Sequence, residues 1–583
     1  MMLGAGIEED LMTLGVLISF FGTVVFAYAS RKDIYGALRN SGLRKEHLLL
    51  VAAVALVFIA FEAIVVRPTQ LLFFDDVIYQ NMALNLLHMG QAWMCNYGNA
   101  LTCFSGQVFH EPIGTSFNLA IAFAIFGANL GVTYNTMFFL SVIAVLFTFF
   151  AALLLFDSVG AALFSELLIA LSPALLVWAR PTTSDLPSLA YSAIAIFAMM
   201  VFVKSKNART LSFAGFSAVL LTYMKVFNAL YIVLIPILYI ILDDRSIRDS
   251  ISRNIKRISD NVLNINVLVI LLVLVLAISP EVGYAYQQLV SGTYGNGSSV
   301  MIPNSCAVNK YVPSNSSISL GNFELNSCAN VLFWFNAYKN GYVMQPAVFT
   351  LLAVLGAAVL AFENRRVLLA LGLWFIIIFA IITAFYAGGV TYGIDWRFML
   401  GLIEQSSLLG GFGAWAILKG LGALGERRGG KKHRKGILYF VFAILILVAL
   451  FYPLYSMLPQ LSINPSNITQ ARPARFYEGF VYNYSSTIPR ACLVFSYDPM
   501  FFNTGGLPAA QMENLYSQQQ MNAYRSAYKC LVLDYGYWCG TPGNICPRLV
   551  PGFVPIKTIS NSEIGVAYGF YYINVTQSQI ETG

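Results

Sequence analysis

Charged residues are scarce in this chain: only 11% of its 583 residues are Asp, Glu, Lys or Arg, while 58% are hydrophobic. The mean hydropathy of +0.68 is far above that of soluble proteins, so the composition excludes a single soluble globular fold. Apolar runs of about 17–25 residues recur along the chain, and a helix of that length crosses a bilayer. The sequence therefore predicts a polytopic α-helical membrane protein.

We expect about twelve transmembrane helices. They are predicted at residues 11–29, 47–66, 132–155, 159–178, 186–203, 209–223, 226–242, 262–280, 343–362, 367–385, 398–419 and 437–456. The sixth is short. The run Ile113–Phe126 is apolar but too short for a span, and we expect it to lie along the membrane surface.

Basic residues are concentrated in the loops on one side of these spans. Of the 35 Lys and Arg, 22 fall in loops 30–46, 204–209, 243–261, 363–366 and 419–436. The positive-inside rule places these loops in the cytoplasm. The net charge of +7 thus reflects topology and does not indicate nucleic-acid binding. The first span, which follows Glu8-Glu9-Asp10 and precedes Arg31-Lys32, is predicted to be an uncleaved anchor with its N-terminus outside.

Cysteines are missing from every predicted cytoplasmic loop. All eight lie in segments predicted outside, which fits an oxidising compartment: Cys95, Cys103, Cys306, Cys328, Cys492, Cys530, Cys539 and Cys546. Their grouping predicts disulfides Cys95–Cys103 and Cys306–Cys328 and two more in the tail, whose connectivity stays open. Glycosylation sequons at Asn296, Asn315, Asn467, Asn483 and Asn574 are also outside. We expect an integral, multi-pass protein of an archaeal plasma membrane or of the eukaryotic secretory route, with the archaeal membrane favoured.

Three regions are predicted along the chain. Residues 1–46 form an anchor helix and a basic cytoplasmic loop. Residues 47–456 form the transmembrane module, with outside loops 67–131 and 281–342. Residues 457–583 form an outside tail that is rich in Tyr and in Pro and Gly turns. Strand-like runs at 491–497 and 529–534 predict a small extracytoplasmic α/β domain in this tail.

Two adjacent carboxylates, Asp75 and Asp76, follow the second span. Ionised groups so close to hydrocarbon are unfavourable, and they usually serve chemistry, ion handling or partner binding. On a helix starting after Phe74, Asp75 and Tyr79 share a face. The simpler alternative is that the two Asp residues cap a helix or lie in headgroup water.

Further ionisable residues reach the same predicted outer face, namely His110, Glu111, Arg180, Asp185, Lys225 and Arg397. A carboxylate that accepts a proton, together with cations that hold an anionic leaving group, is what phosphate chemistry needs. Each residue also has a structural explanation. Lys225 and Arg397 fit snorkelling side chains, Asp185 fits a helix N-cap, Arg180 fits a helix end, and His110 fits a structural role in a polar loop.

Together these motifs resemble the GT-C class of integral-membrane glycosyltransferases. The resemblance covers residues 47–400 and includes Arg397-Phe398, which is similar to the arginine before a late span in protein mannosyltransferases and lipid A aminoarabinose transferases. The other matching motifs are Asp75-Asp76-Val77-Ile78-Tyr79, His110-Glu111-Pro112-Ile113-Gly114 and the turn from Ser172 to Asp185. The resemblance implies a GT-C-like core that transfers a sugar, with inversion, from a polyprenyl-phosphate carrier to an acceptor on the extracytoplasmic side.

The resemblance also implies residue roles. Asp75 would be the general base, and Asp76 would orient or bind the acceptor, although many relatives have Glu at the second position. The substrate-binding residues would be Tyr79, His110, Glu111, Arg180, Asp185, Lys225 and Arg397, with the cations neutralising the departing lipid phosphate. We expect no resident cofactor, because the lipid-linked sugar is a substrate and fixed cations can stabilise phosphate; a divalent metal stays open. The sugar, the carrier length and the acceptor (protein, lipid or glycan) also stay open.

Three alternatives compete with this interpretation. Leu533-Asp534-Tyr535-Gly536-Tyr537-Trp538 resembles the Trp-Trp-Asp-Tyr-Gly signature of oligosaccharyltransferases, but both tryptophans are missing. A strand and turn in a disulfide-tied fold explains that run better. A secondary transporter would use Asp75 and Asp76 to couple ions, but such charges usually lie at the bilayer midplane, often within an inverted repeat, and we find no repeat. The third alternative is a catalytically silent scaffold that presents the tail.

Overall fold

A computed structural model describes most of the helical part of the chain and much of its C-terminal region. The described residues are 5–65, 73–95, 103–104, 112–243, 268–276, 279, 346–385, 397, 400–427, 441, 444–452, 455, 477, 479–481, 483–496, 499–504, 506–536, 539, 546–561 and 566–574. The predicted residues His110 and Glu111, the predicted disulfide Cys306–Cys328 and the loop 281–342 lie outside this set. For Asp75 and Asp76 only the backbone is described.

Helices dominate the region before the C-terminal tail. In chain order they are α1 (Ala5–Ala29), α2 (Arg31–Asn40), α3 (Lys45–Ile64), α4 (Phe73–Met89), α5 (Ile113–Phe126), α6 (Leu130–Phe156), α7 (Val159–Ala170), α8 (Pro173–Trp178), α9 (Asp185–Ser205), α10 (Ala208–Thr222), α11 (Tyr231–Leu242), α12 (Ala347–Glu363), α13 (Arg365–Phe385) and α14 (Leu400–Arg427). A 3₁₀ turn at Val226–Leu230 leads into α11, and residues 268–276 and 444–452 are also helical.

Each predicted span coincides with helical residues in this structure. Among the described residues, four helices are long and apolar enough to cross a membrane, at Asp10–Ala29, Lys45–Ile64, Leu130–Phe156 and Asp185–Ser205. The number of crossings therefore stays a prediction. The predicted span 159–178 is broken into α7 and α8, because Pro173 has no N–H to donate and cannot continue a helix without a kink.

Helix α9 lies at the centre of the bundle, where it packs against α6, α10, α11 and α14. Nearly all of its side chains are buried, whereas α3 buries only a stripe of residues: Val51, Ala55, Phe58 and Glu62. A helix with one buried stripe and exposed apolar residues elsewhere is typical of the rim of a membrane bundle. The centre of the bundle is thus built around α9.

The predicted cytoplasmic loops meet at one end of the bundle. Asp157, which follows α6, accepts a hydrogen bond from Ser41 Oγ at 2.6 Å and pairs with Lys204 at 2.8 Å. Lys206 pairs with Asp243 at 2.6 Å, and Arg366 donates to the Asp243 carbonyl at 2.7 Å. These contacts join loops that the positive-inside rule assigns to the same side.

The C-terminal region contains a five-stranded sheet. Its strands are β3 (Cys492–Ser496), β4 (Ala509–Gln511), β5 (Cys530–Tyr535), β6 (Phe553–Asn561) and β7 (Val566–Ile573), in the order β4-β3-β5-β7-β6. Strand β3 pairs in parallel with β4 and β5, while β7 is antiparallel to both of its neighbours. Helices α15 (Pro499–Thr504) and α16 (Gln518–Ala527) accompany the sheet, and α15 contacts α4. The predicted strands in this tail are confirmed.

The structure also resolves the connectivity that the sequence left open. Cys492 bonds to Cys530 and Cys539 bonds to Cys546. In the first outside loop, a small antiparallel pair formed by β1 (Met94–Cys95) and β2 (Cys103–Phe104) sets Cys95 opposite Cys103. That backbone register is consistent with the predicted disulfide between them. The sequon residues Asn483 and Asn574 are exposed.

Candidate active site

The acid pair predicted from the sequence lies in the first turn of α4. This helix begins at Phe73, so Asp75 and Asp76 are followed one turn later by Tyr79, whose side chain is buried. Helix α4 packs against α5, and Ser116 Oγ of α5 donates to the Tyr79 carbonyl at 3.1 Å. The start of α5 therefore fixes the part of α4 next to the acid pair.

The first turn of α5 contacts the chain just before Lys225. The Gly114 N–H donates to the Tyr223 carbonyl at 2.8 Å. A Cβ atom at Gly114 would lie 2.4 Å from that oxygen and 2.7 Å from Met224 Sδ, so only glycine permits this close approach. The turn that the sequence singled out at His110–Gly114 thus ends beside Lys225.

Asp185, Lys225 and Arg397 form one buried ion-pair cluster. Lys225 Nζ donates to Asp185 Oδ1, and Arg397 Nε lies 3.6 Å from Asp185 Oδ2. The three side chains are 3%, 6% and 18% exposed, respectively. Ser184 occupies the N-cap position of α9, and Asp185 is its first helical residue. The carboxylate of Asp185 thus faces cations from two distant parts of the chain.

Arg180 has a partner that the sequence did not single out. Its Nη2 donates to the Glu62 carbonyl at 3.0 Å, its Nε lies 3.6 Å from Glu62 Oε2, and its guanidinium lies 5.2 Å from the centre of the Phe138 ring. Glu62 is fully buried in the last turn of α3. The available signal was an ionisable residue inside a predicted span, which is typical of a functional position.

A row of polar pairs, here called the polar ladder, continues from the cluster into the bundle. Residues Asp185, Ser188 and Ser192 of α9 share a face and meet Lys225, Asn228 and Tyr231, respectively. Ser188 Oγ donates to Asn228 Oδ1 at 2.9 Å, and Ser192 Oγ lies 3.4 Å from Tyr231 Oη. The ladder ends at Glu404 and Trp374: Ser192 Oγ donates to Glu404 Oε2 at 2.8 Å, and Trp374 Nε1 donates to Tyr231 Oη at 3.0 Å.

Among the described residues, several buried polar atoms without a hydrogen-bond partner lie between α7 and α9: Ser172 Oγ, Trp178 Nε1, Thr182 Oγ1 and Thr183 Oγ1. Arg180 Nε and Asp185 Oδ2 also lack a hydrogen bond, but each has an ion-pair partner at 3.6 Å. A buried polar group without a partner is unfavourable, so such groups are few in native structures and call for an explanation. This segment is therefore a candidate site for a polar ligand.

The candidate site combines three cations with two carboxylates. Lys225 and Arg397 lie against Asp185, and Arg180 lies against Glu62. In the part of the chain that the structure describes, no group of three or more His, Cys, Asp or Glu is placed to hold a metal ion. The arrangement is suited to binding an anion.

The motif that resembles the oligosaccharyltransferase signature lies elsewhere. Asp534 is buried in β5, where Tyr477 Oη and Ser496 Oγ donate to its Oδ2, the latter at 2.6 Å. Burial raises the pKa of Asp534 to about 7, against the lowering effect of these hydrogen bonds. Disulfides at Cys530 and Cys539 flank the run. The position of Asp534 in a disulfide-linked strand agrees with the interpretation of the run Leu533–Trp538 as a strand and turn.

Comparison with known proteins identifies the class that the helical part resembles. A family model of dolichyl-phosphate-mannose-protein mannosyltransferases matches residues 110–280, a segment that contains Arg180, Asp185 and Lys225. The chain resembles the GT-C class of membrane glycosyltransferases. The resemblance expected from the sequence motifs is thereby confirmed. No curated protein sequence matches the chain.

The chain is also similar to three solved structures. The archaeal oligosaccharyltransferase AglB from Archaeoglobus fulgidus is 13% identical, with 84% of this chain and 69% of AglB covered and a TM-score of 0.46. ArnT from Cupriavidus metallidurans, bound to undecaprenyl phosphate, is 12% identical, with 92% and 99% covered and a TM-score of 0.47. The arabinofuranosyltransferase AftD from Mycobacteria is 14% identical, with 92% and 40% covered and a TM-score of 0.46.

Proposed function

We propose that this protein transfers a sugar from a polyprenyl-phosphate carrier to an acceptor hydroxyl, with inversion, and that Asp75 is the general base. The observation that carries the proposal is the buried cluster of Lys225, Arg397 and Asp185, with the Arg180–Glu62 pair nearby along the chain. The matched family is named for a dolichyl-phosphate-linked mannose, which supports a lipid-phosphate donor of that class.

An anionic phosphate is the ligand that fits the donors of this cluster. Lys225 and Arg397 converge on Asp185, and Arg180 lies five residues before Asp185 in the chain. Arginine presents a planar fork of N–H donors that matches phosphate oxygens, and lysine adds a compact positive charge. Bound phosphate would accept hydrogen bonds from these donors.

The backbone contacts link this anion site to the acid pair. Ser116 Oγ of α5 donates to the carbonyl of Tyr79 in α4. Two residues before Ser116, the Gly114 N–H donates to the carbonyl of Tyr223, which lies two residues before Lys225. Two hydrogen bonds therefore connect the helix that bears Asp75 with the segment that bears Lys225. In the proposed arrangement the sugar lies between them, with the base on one side and the phosphate on the other.

This placement suits a direct displacement. The acceptor oxygen attacks the anomeric carbon of the sugar while the bond from that carbon to the phosphate oxygen breaks. The acceptor proton passes to the Asp75 carboxylate, and the electron pair leaves with the lipid phosphate, whose growing charge the cations stabilise. Attack opposite the leaving group inverts the configuration at the anomeric carbon. Asp76 would orient the acceptor, and the C-terminal region, whose α15 contacts α4, would shape acceptor access.

The test is release of dolichyl phosphate from radiolabelled dolichyl-phosphate-mannose and dolichyl-phosphate-glucose in membranes. Wild type would be compared with Asp75→Asn and Asp76→Asn at matched expression. We expect Asp75→Asn to reduce turnover by about 10²–10⁴-fold, as loss of a general base does. Asp76→Asn should affect acceptor KM more than donor binding.

A matched control is Asp157→Asn. Asp157 is an exposed carboxylate paired with Lys204, which is 19 residues after Asp185 on α9 and hence about 28 Å away along the helix. We expect this variant to turn over like wild type. If Asp75→Asn and Asp76→Asn also matched wild type, the acid pair would not supply the base and the proposal would be wrong.

A further inference from the structure

We propose, on the basis of the proposed function, that the hydroxyl groups of Thr182 and Thr183 bind hydroxyl groups of the sugar on the lipid donor and so select the sugar. Both residues lie in the turn between α8 and α9, and both are fully buried. Neither Oγ1 atom has a hydrogen-bond partner among the residues that the structure describes. In this part of the chain, the two adjacent buried hydroxyls thus have donor and acceptor capacity left for a ligand.

Two other buried threonines of the bundle show what these two lack. Thr148 Oγ1 donates to the Ala144 carbonyl at 2.8 Å, and Thr222 Oγ1 donates to the Val219 carbonyl at 2.7 Å. Such bonds satisfy the hydroxyl within its own helix, three or four residues back. Thr182 and Thr183 lie in a non-helical turn after Arg180-Pro181, where no such bond is formed. Their hydroxyl groups are therefore not needed to satisfy local structure.

The position of the two hydroxyls fits a sugar better than a phosphate. In the sequence they lie between Arg180 and Asp185, and Asp185 pairs with the cations Lys225 and Arg397. The sugar is joined to the phosphate through a single oxygen. A threonine hydroxyl both donates and accepts, as a sugar hydroxyl does, whereas a phosphate oxygen only accepts. A site built to hydrogen-bond a substrate hydroxyl also discriminates strongly, because a sugar that lacks or reorients that hydroxyl leaves buried groups unpaired.

The test uses Thr182→Val and Thr183→Val in the full-length protein in detergent, because valine keeps the shape and removes only the hydroxyl. Binding would be measured for dolichyl phosphate, dolichyl-phosphate-mannose and dolichyl-phosphate-glucose, together with thermal stability. We expect each variant to bind the preferred sugar-linked lipid about 10-fold or more weakly than wild type. Binding of sugar-free dolichyl phosphate should be unchanged, and thermal stability should be equal or higher, since an unpaired buried hydroxyl is removed.

Thr148→Val is the matched control. It also replaces a buried threonine by valine, but it removes an existing hydrogen bond to Ala144. This variant should lose thermal stability and keep the sugar preference of wild type. The control therefore separates a structural effect of the substitution from an effect on the sugar.

The outcomes discriminate between the two proposals. Equal weakening for the sugar-free and sugar-linked lipids would assign the hydroxyls to the phosphate and overturn this inference. A loss of thermal stability in Thr182→Val and Thr183→Val comparable to that in Thr148→Val would also overturn it. If wild type binds dolichyl phosphate and both variants keep its sugar preference, only this inference fails. If wild type binds none of the three lipids, the proposed function fails with it.

Discussion

At the scale of single residues, Asp534 is a carboxyl group held wholly inside the C-terminal sheet. Its Oδ2 accepts hydrogen bonds from Tyr477 and Ser496, while its Oδ1 has no hydrogen-bond partner in the described part of the chain. Burial raises its pKa from 3.8 to about 7, because the charged form loses more hydration than the two hydrogen bonds restore. The folded chain therefore binds a proton here more tightly than the unfolded chain does.

This shift predicts how the stability of the C-terminal region depends on pH. The contribution of the Asp534 proton to the free energy of unfolding is fully present below pH 3.8 and is lost as pH rises to about 7, where the folded state also ionises. The free energy of unfolding would fall by on the order of 4 kcal/mol at most over this range. Asn at this position cannot ionise. Between pH 5 and pH 8 we expect the melting temperature of wild type to fall relative to that of Asp534→Asn.

Asp157→Asn provides the comparison for this melting experiment, since it removes an exposed carboxylate. Its pH dependence should follow that of wild type over the same range. Parallel curves for wild type and Asp534→Asn would mean that Asp534 does not titrate in this window.

Several site residues could be predicted singly from the sequence, but their partners could not. Lys225, Arg397 and Asp185 each stood out as an ionisable group near a predicted outer face. That all three meet depends on how α9, the turn after α10 and the chain before α14 pack, which local patterns do not encode. Glu62 and Glu404 each lie inside a predicted span, and their partners Arg180 and Ser192 belong to distant parts of the chain, so the sequence did not single them out.

At the scale of elements, the start of α5 is fixed by a backbone-to-backbone contact. Gly114 approaches the Tyr223 carbonyl so closely that no side chain fits. The neighbouring oxygen belongs to the main chain and cannot rotate away. The position of α5 relative to Lys225 therefore depends on this one glycine.

We expect Gly114→Ala to move α5 away from the turn that carries Lys225. The added methyl group should destabilise the protein by about 1–3 kcal/mol, as overpacking does, and should lower sugar transfer. Melting temperature and turnover of the lipid-linked donor would be measured together.

Gly36→Ala is the matched control for this substitution. A Cβ atom at Gly36, in α2, would meet no atom within 4 Å. Alanine should leave turnover unchanged there and stabilise the helix by up to about 1 kcal/mol. If both alanine variants behaved alike, the close approach at Gly114 would have no bearing on the site.

The elements themselves were largely predictable because their signals are local. Apolar runs of span length coincide with helices, and the runs at 491–497 and 529–534 are strands. The tail disulfides were not predictable, because the pairing depends on strand order. Parallel neighbours β3 and β5 set Cys492 opposite Cys530, and no spacing rule contains that information.

At the scale of the whole molecule, the two ends of the bundle differ in the polar groups that they hold. One end holds the ion pairs among predicted cytoplasmic loops, at Asp157–Lys204 and Lys206–Asp243. The candidate site lies at the other end of α9, where the C-terminal region meets α4. That site and tail both lie outside the membrane stays a prediction of the sequence.

Deleting residues 457–583 tests the role proposed for the C-terminal region. We expect the truncated chain to bind dolichyl phosphate as the full chain does, because the cations lie outside the deleted part. Its preference among protein, lipid and glycan acceptors should change, because α15 no longer covers α4. Transfer to a panel of these acceptors is the measurement. Unchanged preference with retained expression would remove the C-terminal region from acceptor recognition.

The polar ladder has a mechanical consequence. Three consecutive pairs join α9 to the segment 225–231, so a slide of one helical turn, about 5.4 Å, would break all three pairs at once. We therefore expect the two segments to move together. In any movement of the neighbouring helices, Asp185 and Lys225 should keep their spacing, because they belong to the two segments that these pairs join.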